Sequence, residues 1–517
     1  MDNKTSSKNL IFTSYLKVGT WTGISRVFGL LRDITTTGLL GSSMLHDIFI
    51  VVLKIPNVFR RLFAEGAFSQ AFIPIYGEYQ EHKSTKEIKD FINNLAGTLL
   101  SFLFIFTLAA LFFAPIFILI FAPGFYYDPV KKDIAVTVLR IMFPYLGLIS
   151  LVAFAGGIQN SHKRFSIPAA TPIIFNLCII FSAFFLAPLF SIPILGLAWG
   201  VLLAGVIQLL VQLFPLSQIN RLPVPKLGFM NEGVKKVFIL MIPALIAGGV
   251  AQINLLIDTI FASLLETGSP TWLYVSDRLI QFPLGIFAIA IGTVLLPTLS
   301  QANEKGDIDL YKNQLHKSQR LVLFLAIPSL IGLVMCSEQL ISTLFQRGAF
   351  SYLDVTQASK SLIAFSIGLP FFMMMKVLVP AFFSRKDTKT PMYAAIAALI
   401  LNVLLNYIFA FKLGYGHTGL ALASSVAAIL SASILFVILV KEKYIQYTNP
   451  FNRFNFALIV ASFTLVQFLM FGPFNIDFSS LSFVERLVNL SLEIFISILI
   501  YLGISRIIVG KNLKELF

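Results

Sequence analysis

Residues 95–121 read LAGTLLSFLFIFTLAALFFAPIFILIF, a run without one charged side chain. An α-helix rises about 1.5 Å per residue, so roughly 20 apolar residues cross the hydrocarbon core of a bilayer. This run is long enough to do so. The rest of the chain has the same character. Of its 517 residues, 57% are hydrophobic and 12% charged, and 52 are Phe; an ordinary soluble domain is about 25% charged. Mean hydropathy is +0.84. A water-soluble globule of this size has too little interior to hide so many apolar side chains. The composition predicts an all-α integral membrane protein.

The same criterion predicts about fourteen spanning helices, near residues 13–40, 46–75, 92–122, 133–159, 166–189, 193–217, 235–265, 271–299, 318–344, 355–383, 390–411, 418–440, 454–472 and 485–508. The first two are the least apolar. The formal net charge is +14. In a soluble chain such an excess would suggest nucleic acid. Here it collects in alternate loops: Lys83, Lys86 and Lys89; His162, Lys163 and Arg164; Arg221, Lys226, Lys235 and Lys236; Lys305, Lys312, Lys317 and Arg320; Arg385, Lys386 and Lys389; Lys441, Lys443 and Arg453. The intervening loops are short and nearly uncharged. By the positive-inside rule the basic set faces the cytoplasm. Lys4, Lys8, Lys511 and Lys514 put both termini there too, and no nucleic-acid partner is expected. Met1-Asp2-Asn3-Lys4 opens no secretory cleavage pattern, so the first apolar segment is expected to be a retained helix. Cys178 and Cys336, far apart in apolar segments, are expected to be buried thiols.

The chain repeats at an offset of about 223 residues. Phe121-Ala-Pro-Gly124 answers Phe345-Gln-Arg-Gly348. His162-Lys163-Arg164, leading to Pro168, answers Arg385-Lys386-Asp387, leading to Pro391. Gly196-Leu-Ala answers Gly419-Leu-Ala. Six helices fit each repeat, so the halves insert the same way up about an axis along the membrane normal, as in one class of transporter. The expected lobes are residues 13–217 and 235–440, with two extra helices over 452–508.

Ionisable groups inside spans carry the chemistry. Each costs from about 2.5 to over 10 kcal/mol at the bilayer centre, so it survives in a cavity, in a pair or near an interface. The first helix holds Arg26, Arg32 and Asp33; Arg26 and Asp33, seven apart, share a face, and Arg32 points elsewhere. The second runs from Asp47 through Lys54, Pro56, Arg60 and Arg61 to Glu65, with Arg61 and Glu65 spaced to pair. The eighth carries Asp277-Arg278. Ion-pair networks and snorkelling ends are the bland explanation. As a group, however, the basic residues outnumber the acids. Guanidinium forks suit phosphate oxygens, so an anionic, diphosphate-bearing substrate satisfies the excess better than a cationic drug.

Residues 60–74, RRLFAEGAFSQAFIP, closely resemble the signature of the MurJ (MviN) family, lipid II flippases of the MOP exporter superfamily. Ser25-Arg26-Val27-Phe28-Gly29, Arg164-Phe165-Ser166-Ile167-Pro168 and Asp277-Arg278-Leu279 extend the resemblance over residues 20–440 or so. It implies a fourteen-helix fold with two six-helix lobes, and a lipid-tail groove formed by the last two helices. It implies substrate-binding roles for Arg26, Arg32, Arg60 and Arg278. Asp47 matches the family's cavity residues as well and is assigned here to an outer gate. Asp33, Arg61, Glu65 and Asp277 are expected in gating or ion pairs. Lipid II would enter from the cytoplasmic leaflet between helices one and eight and leave outward by alternating access, with cell-wall synthesis proteins as further partners. The alternatives are another MOP-type transporter, whether polysaccharide-lipid flippase or drug/cation antiporter, and a non-transporting cell-wall scaffold.

A second cluster holds oxygen donors. Asn254 and Asp258 are i,i+4 on helix seven, Asn402 and Asn406 are i,i+4 on helix eleven, and Ser424 is on helix twelve. Oxygen ligands of this kind suit Na⁺, and some members of the MurJ family resemble this arrangement. Amide hydrogen bonding between helices is the alternative. No catalytic triad, paired acid site, phosphate loop or haem motif is present, so no enzyme is expected. Met373-Met374-Met375 is expected to be packing, His162 and His417 solvated loop residues, and Gly124, Gly348 and Gly416 turns.

Overall fold

The computed structural model describes residues 2–62, 68–445, 452–474, 476 and 478–510. Among these the chain is helical, without strands. It forms two compact units, Met1–Thr267 and Gly268–Phe517. The first comprises α1 (Asp2–Leu40), α2 (Met44–Arg60), α3 (Phe68–His82), α4 (Thr85–Phe112), α5 (Ala114–Phe121), α6 (Pro123–Tyr126), α7 (Pro129–Met142), α8 (Tyr145–Ser161), α9 (Ser166–Phe181), α10 (Pro193–Gln218) and α11 (Glu232–Ser263). The second comprises α12 (Ser269–Pro283), α13 (Ile289–Glu304), α14 (Ile308–Met335), α15 (Ser337–Phe345), α16 (Tyr352–Phe383), α17 (Lys389–Asn406), α18 (Gly416–Lys441), α19 (Arg453–Phe471) and α20 (Phe483–Val509).

Eleven helical segments among the described residues are long and apolar enough to cross a membrane. The other three segments expected to span coincide with α1, with α2 and α3, and with α11. Several boundaries differ from hydropathy for local reasons. The Ser84 side chain caps α4, with Glu87 bonding back to the Ser84 N–H, so the helix starts at Thr85 rather than near 92. Asp307 caps α14, whose basic first turns extend the helix outside the apolar window. Pro115 and Pro144 break what hydropathy renders as single spans, dividing α4 from α5 and α7 from α8.

In the first unit α1 packs on α9, α10 packs on α7, α8 and α9, and α11 packs on α3. A stack of Phe68, Phe72, Tyr76, Phe91 and Phe154 forms the core under α3, and Val234 and Val237 of α11 complete it. The seventh helix therefore sits in the first compact unit, although the sequence repeat restarts near 235. In the second unit α16 packs on α12, α14 and α18, and the α19–α20 hairpin lies against α14 and α15.

The repeat is visible in backbone detail. A Cβ on Gly196 would come within 2.5 Å of the Ala187 backbone, and one on Gly419 within 2.7 Å of the Phe409 backbone. Gly-Leu-Ala thus marks a close helix crossing in each half, next to π-helical turns at Ser182–Leu186 and Tyr407–Lys412. Lys163 and Lys386 both adopt left-handed φ, 60° and 63°, as do Asn220 and Lys443 at 53° and 63°. Gly124 is no simple turn. It lies inside α6, donates its N–H to Ser263 Oγ at 3.2 Å, and has no room for a Cβ against the Ser263 backbone. His417 is no solvated loop residue either. It is 4% exposed and bonds Ser361 Oγ at 2.6 Å and Gln357 Oε1 at 3.3 Å, because Gly416 starts α18 there and the ring packs on Trp272.

Candidate functional site

The three charged residues singled out on α1, Arg26, Arg32 and Asp33, divide into a pair and an exposed cation. Asp33 is 1% exposed. Such a carboxylate needs a cation and hydrogen bonds to remain charged. Arg32 bends back to supply them, with Nη2 at 2.6 Å and Nε at 3.0 Å from Asp33 Oδ1. Helical periodicity alone put Arg32 on another face; a guanidinium on a three-carbon stem reaches across that angle. The same guanidinium lies 5.7 Å from the Phe175 ring of α9. Asn176 Nδ2 donates to the Ser25 carbonyl at 3.2 Å and fastens α1 to α9 one residue before Arg26. Arg26 itself is exposed and makes no hydrogen bond or ion pair with a described residue.

In α2, Asp47 is 2% exposed in the first turn, where the helix dipole favours an acid. Lys54 Nζ donates to Thr259 Oγ1 of α11 at 3.2 Å. Pro56 lies within the helix, and one turn on Arg60 Nε bonds Asn57 Oδ1 at 3.2 Å. Phe59 anchors this end, its ring 5.5 Å from Phe106 and 5.9 Å from Phe117. Arg60 is half-buried and Arg61 exposed; Glu65, its expected partner, lies outside the described residues. Asp258 is half-buried on α11 beside Thr259, and the Asn254 side chain lies outside the described residues.

In the second unit α12 is tied down by Trp272, whose Nε1 donates to Asp354 Oδ1 at 3.1 Å. Two turns along, Asp277 is exposed and accepts from Gln281 Nε2 at 3.4 Å, while Arg278 is half-buried. Asn402, Asn406 and Ser424 come together. Asn406 Nδ2 donates to Asn402 Oδ1 at 3.1 Å, and Asn402 Nδ2 donates to Ser424 Oγ at 3.3 Å. The amides thus serve one another, and their oxygen chemistry also suits a monovalent hard cation. Among the described residues no group of three or more His, Cys, Asp or Glu side chains is placed to hold a metal.

Besides Asp354, which accepts from Trp272, two further buried charges were passed over in the sequence. Arg486 and Glu493 of α20 are 8% and 2% exposed. The signal was present: Glu493 interrupts an otherwise uncharged run from 487 to 505.

The family model for lipid II flippase MurJ matches residues 37–489. A probable lipid II flippase MurJ of Vibrio cholerae serotype O1 is 42% identical over 439 residues, covering 84% of this chain and 83% of that protein. The lipid II flippase MurJ of Burkholderia cenocepacia is 37% identical over 478 residues, covering 91% and 92%. A solved lipid II flippase MurJ in an inward closed conformation superimposes with a TM-score of 0.79 at 28% identity, covering 95% of this chain and 98% of that one. An inward-facing multidrug transporter of the MATE family, from the MOP superfamily, shares the fold with a TM-score of 0.65 at 12% identity.

Proposed function

Because the chain belongs to the MurJ family of lipid II flippases, we propose that Arg26, Arg32, Arg60 and Arg278 bind the diphosphate of lipid II during its passage across the membrane. The protein is a multi-pass membrane transporter of peptidoglycan synthesis, and alternating access is its mode of action. The observation that supports the assignment is on α1, where Arg26 is exposed without a described partner, whereas Arg32, held by Asp33, would have to exchange that carboxylate for a phosphate. A guanidinium kept in a spanning helix without a counter-ion among the described residues calls for an anionic ligand or water.

In this scheme the lobes 13–217 and 235–440 rock about the bound head group. Entry is from the cytoplasmic leaflet between the first and eighth spans. The basic loops and both termini face the cytoplasm, and the membrane is the bacterial inner membrane. Asp47 contributes to an outer gate, with Asp33, Arg61, Glu65 and Asp277 in ion pairs that make or break as the lobes move. The polyprenyl tail stays in lipid along residues 452–508. The chain carries no nucleotide-binding motif, so the drive is electrochemical. One charge crossing 100 mV is worth about 2.3 kcal/mol. Asp258 and Asn254 on α11, with Asn402, Asn406 and Ser424, are the candidate Na⁺ ligands. Lys54 bonds the neighbour of Asp258, so occupancy by Na⁺ would be felt at α2.

The test is complementation of a flippase-depleted strain, with lipid II accumulation measured beside growth. Arg26→Ala and Arg278→Ala, expressed and membrane-inserted at normal levels, are expected to fail and to accumulate lipid II. Growth and lipid II levels unchanged in both would overturn the binding assignment. Translocation indifferent both to Na⁺ and to Asp258→Ala would remove the cation from the scheme.

A further inference from the structure

The last helix carries a polar stripe on its buried face. Arg486, Glu493, Tyr501 and Ser505 of α20 are all buried, and the Oγ of Ser497 is too. Glu493, Ser497, Tyr501 and Ser505 follow one another at i,i+4 spacing, so they line one side of the helix. That side meets an otherwise apolar cluster of Phe324, Phe454, Ala461, Leu465 and Leu469. Tyr501 reaches across it to the Phe324 carbonyl of α14 at 2.9 Å. Near the start of the stripe, Arg486 Nη1 donates to the Ser342 carbonyl of α15 at 3.3 Å.

Glu493 is the group this packing does not explain. It is 2% exposed, and its Oε2 has no hydrogen-bond partner among the described residues. Its carboxyl lies against the Cys336 thiol at the junction of α14 and α15, itself 4% exposed. The cations of the neighbouring elements are directed elsewhere. Arg486, two turns away, is turned toward α15. Arg347 stands over the Phe483 ring. Arg320, the last charge on α14, stands over Phe454. The only charge on α19 is Arg453, at its first residue. Glu338 of α15 is bonded by Tyr352. No described cation compensates a carboxylate at Glu493, and a bare charge at this depth costs at least about 2.5 kcal/mol. The side chain must carry its neutralising partner, and one carboxyl beside a thiol offers too few oxygens for a metal cation. What remains is a proton.

We propose that Glu493 is a membrane-embedded proton-binding site, and that its loading sets how firmly the α19–α20 hairpin seats against α14 and α15. Loaded, the seam is neutral and closes over Cys336. Unloaded, it holds a charge that water or lipid head groups must solvate, and the hairpin lifts.

The test uses the full chain in phosphatidylethanolamine–phosphatidylglycerol vesicles, in a Cys178→Ser background so that Cys336 is the sole thiol. Its alkylation by N-ethylmaleimide is followed at pH 6 and pH 9, with and without Glu493→Gln. Thiolate formation speeds both forms at pH 9. The proposal requires the form with Glu493 to gain on the order of tenfold more than the Gln form, whose seam stays neutral, the change one pH unit brings to a titrating group. Equal rates in both forms at both pH values overturn it. As a second measurement, a hydrophobic carbodiimide should modify Glu493 at pH 6 and much less at pH 9. No adduct at either pH, or equal yields, also overturns it.

Discussion

Two repeat-related loops solve one backbone problem with different side chains. At the end of α8, Lys163 in left-handed conformation lets the Arg164 N–H reach the Gln159 carbonyl at 2.9 Å. At the end of α16, Lys386 does the same for Asp387 and the Phe382 carbonyl at 3.1 Å. Each loop then packs on a second left-handed turn, at Asn220 or Lys443. The locks differ. In the first loop they are neutral: Arg164 Nη1 donates to Gln218 Oε1 at 2.8 Å, and His162 Nε2 meets the Tyr76 hydroxyl at 3.0 Å. In the second, Arg385 is clamped between Glu442 Oε2 at 2.7 Å and the Tyr444 ring at 4.2 Å, with Tyr311 buried beneath and bonded to Ser384. The helix-ending geometry recurs because the chain must reverse at the same place in each half. The side chains that hold it are free to differ, since any set satisfying the local donors will serve.

The comparison is most exposed at the two tyrosines. Tyr311 is 1% exposed and bonds buried acceptors, so Tyr311→Phe should cost about 1–1.5 kcal/mol in thermal unfolding. Tyr76→Phe should cost less although Tyr76 is equally buried, because its partner His162 is half-buried and solvent can serve the ring nitrogen left behind. Equal losses would break the contrast. Next is the ion pair. Glu442→Gln should cost up to about 1 kcal/mol, Glu442 being 41% exposed and screened. Gln218→Glu, which installs the missing acid in the first loop, should stabilise it by a few tenths of that.

Acid should then separate the loops. Burial, and after it the nearby Arg221 and Arg164, holds His162 below its ordinary range. The stability this implies is present above about pH 6.5 and is lost as pH falls toward the depressed value. Asp387 is also depressed, through its bonds from Thr390, so its contribution persists until pH drops below about 4. Protection factors from hydrogen exchange, corrected for the intrinsic slowing by acid, should therefore fall between pH 7 and pH 5 at amides 159–165 and not at 382–388. Simultaneous loosening would refute the assignment. The smallest effect sharpens the shared feature. Lys163→Gly and Lys386→Gly should each stabilise by about 0.5 kcal/mol, by the same amount, since both relieve one left-handed residue.

How far the sequence reached differs by feature. The spanning segments, the repeat and the basic loops were legible, because each rests on composition or spacing within one stretch. The break at Pro144 was legible in principle but masked by uniform hydropathy. The charged residues of α1, α2 and α12 were legible as candidates. Their states were not: the closure of Arg32 onto Asp33 depends on how deeply the neighbouring helices bury that carboxylate. Glu493 escaped notice as a single charge in the hydrophobic run 487–505, and His417 because its loop looks solvent-facing until Trp272 covers it.

The sequence by itself determined that this chain lives in a membrane, that its halves repeat, and that its first helices carry more positive than negative charge. Those properties follow from the solvent a side chain can tolerate and from helical periodicity, both of which act locally. Only the tertiary structure decided which charges are spent on each other and which stay exposed. Arg26 is left exposed, Arg32 is occupied, and Glu493 is sealed away from any described cation. A helix period specifies the direction of a side chain, whereas its partner and its protonation depend on what the neighbouring helices bring to the same depth.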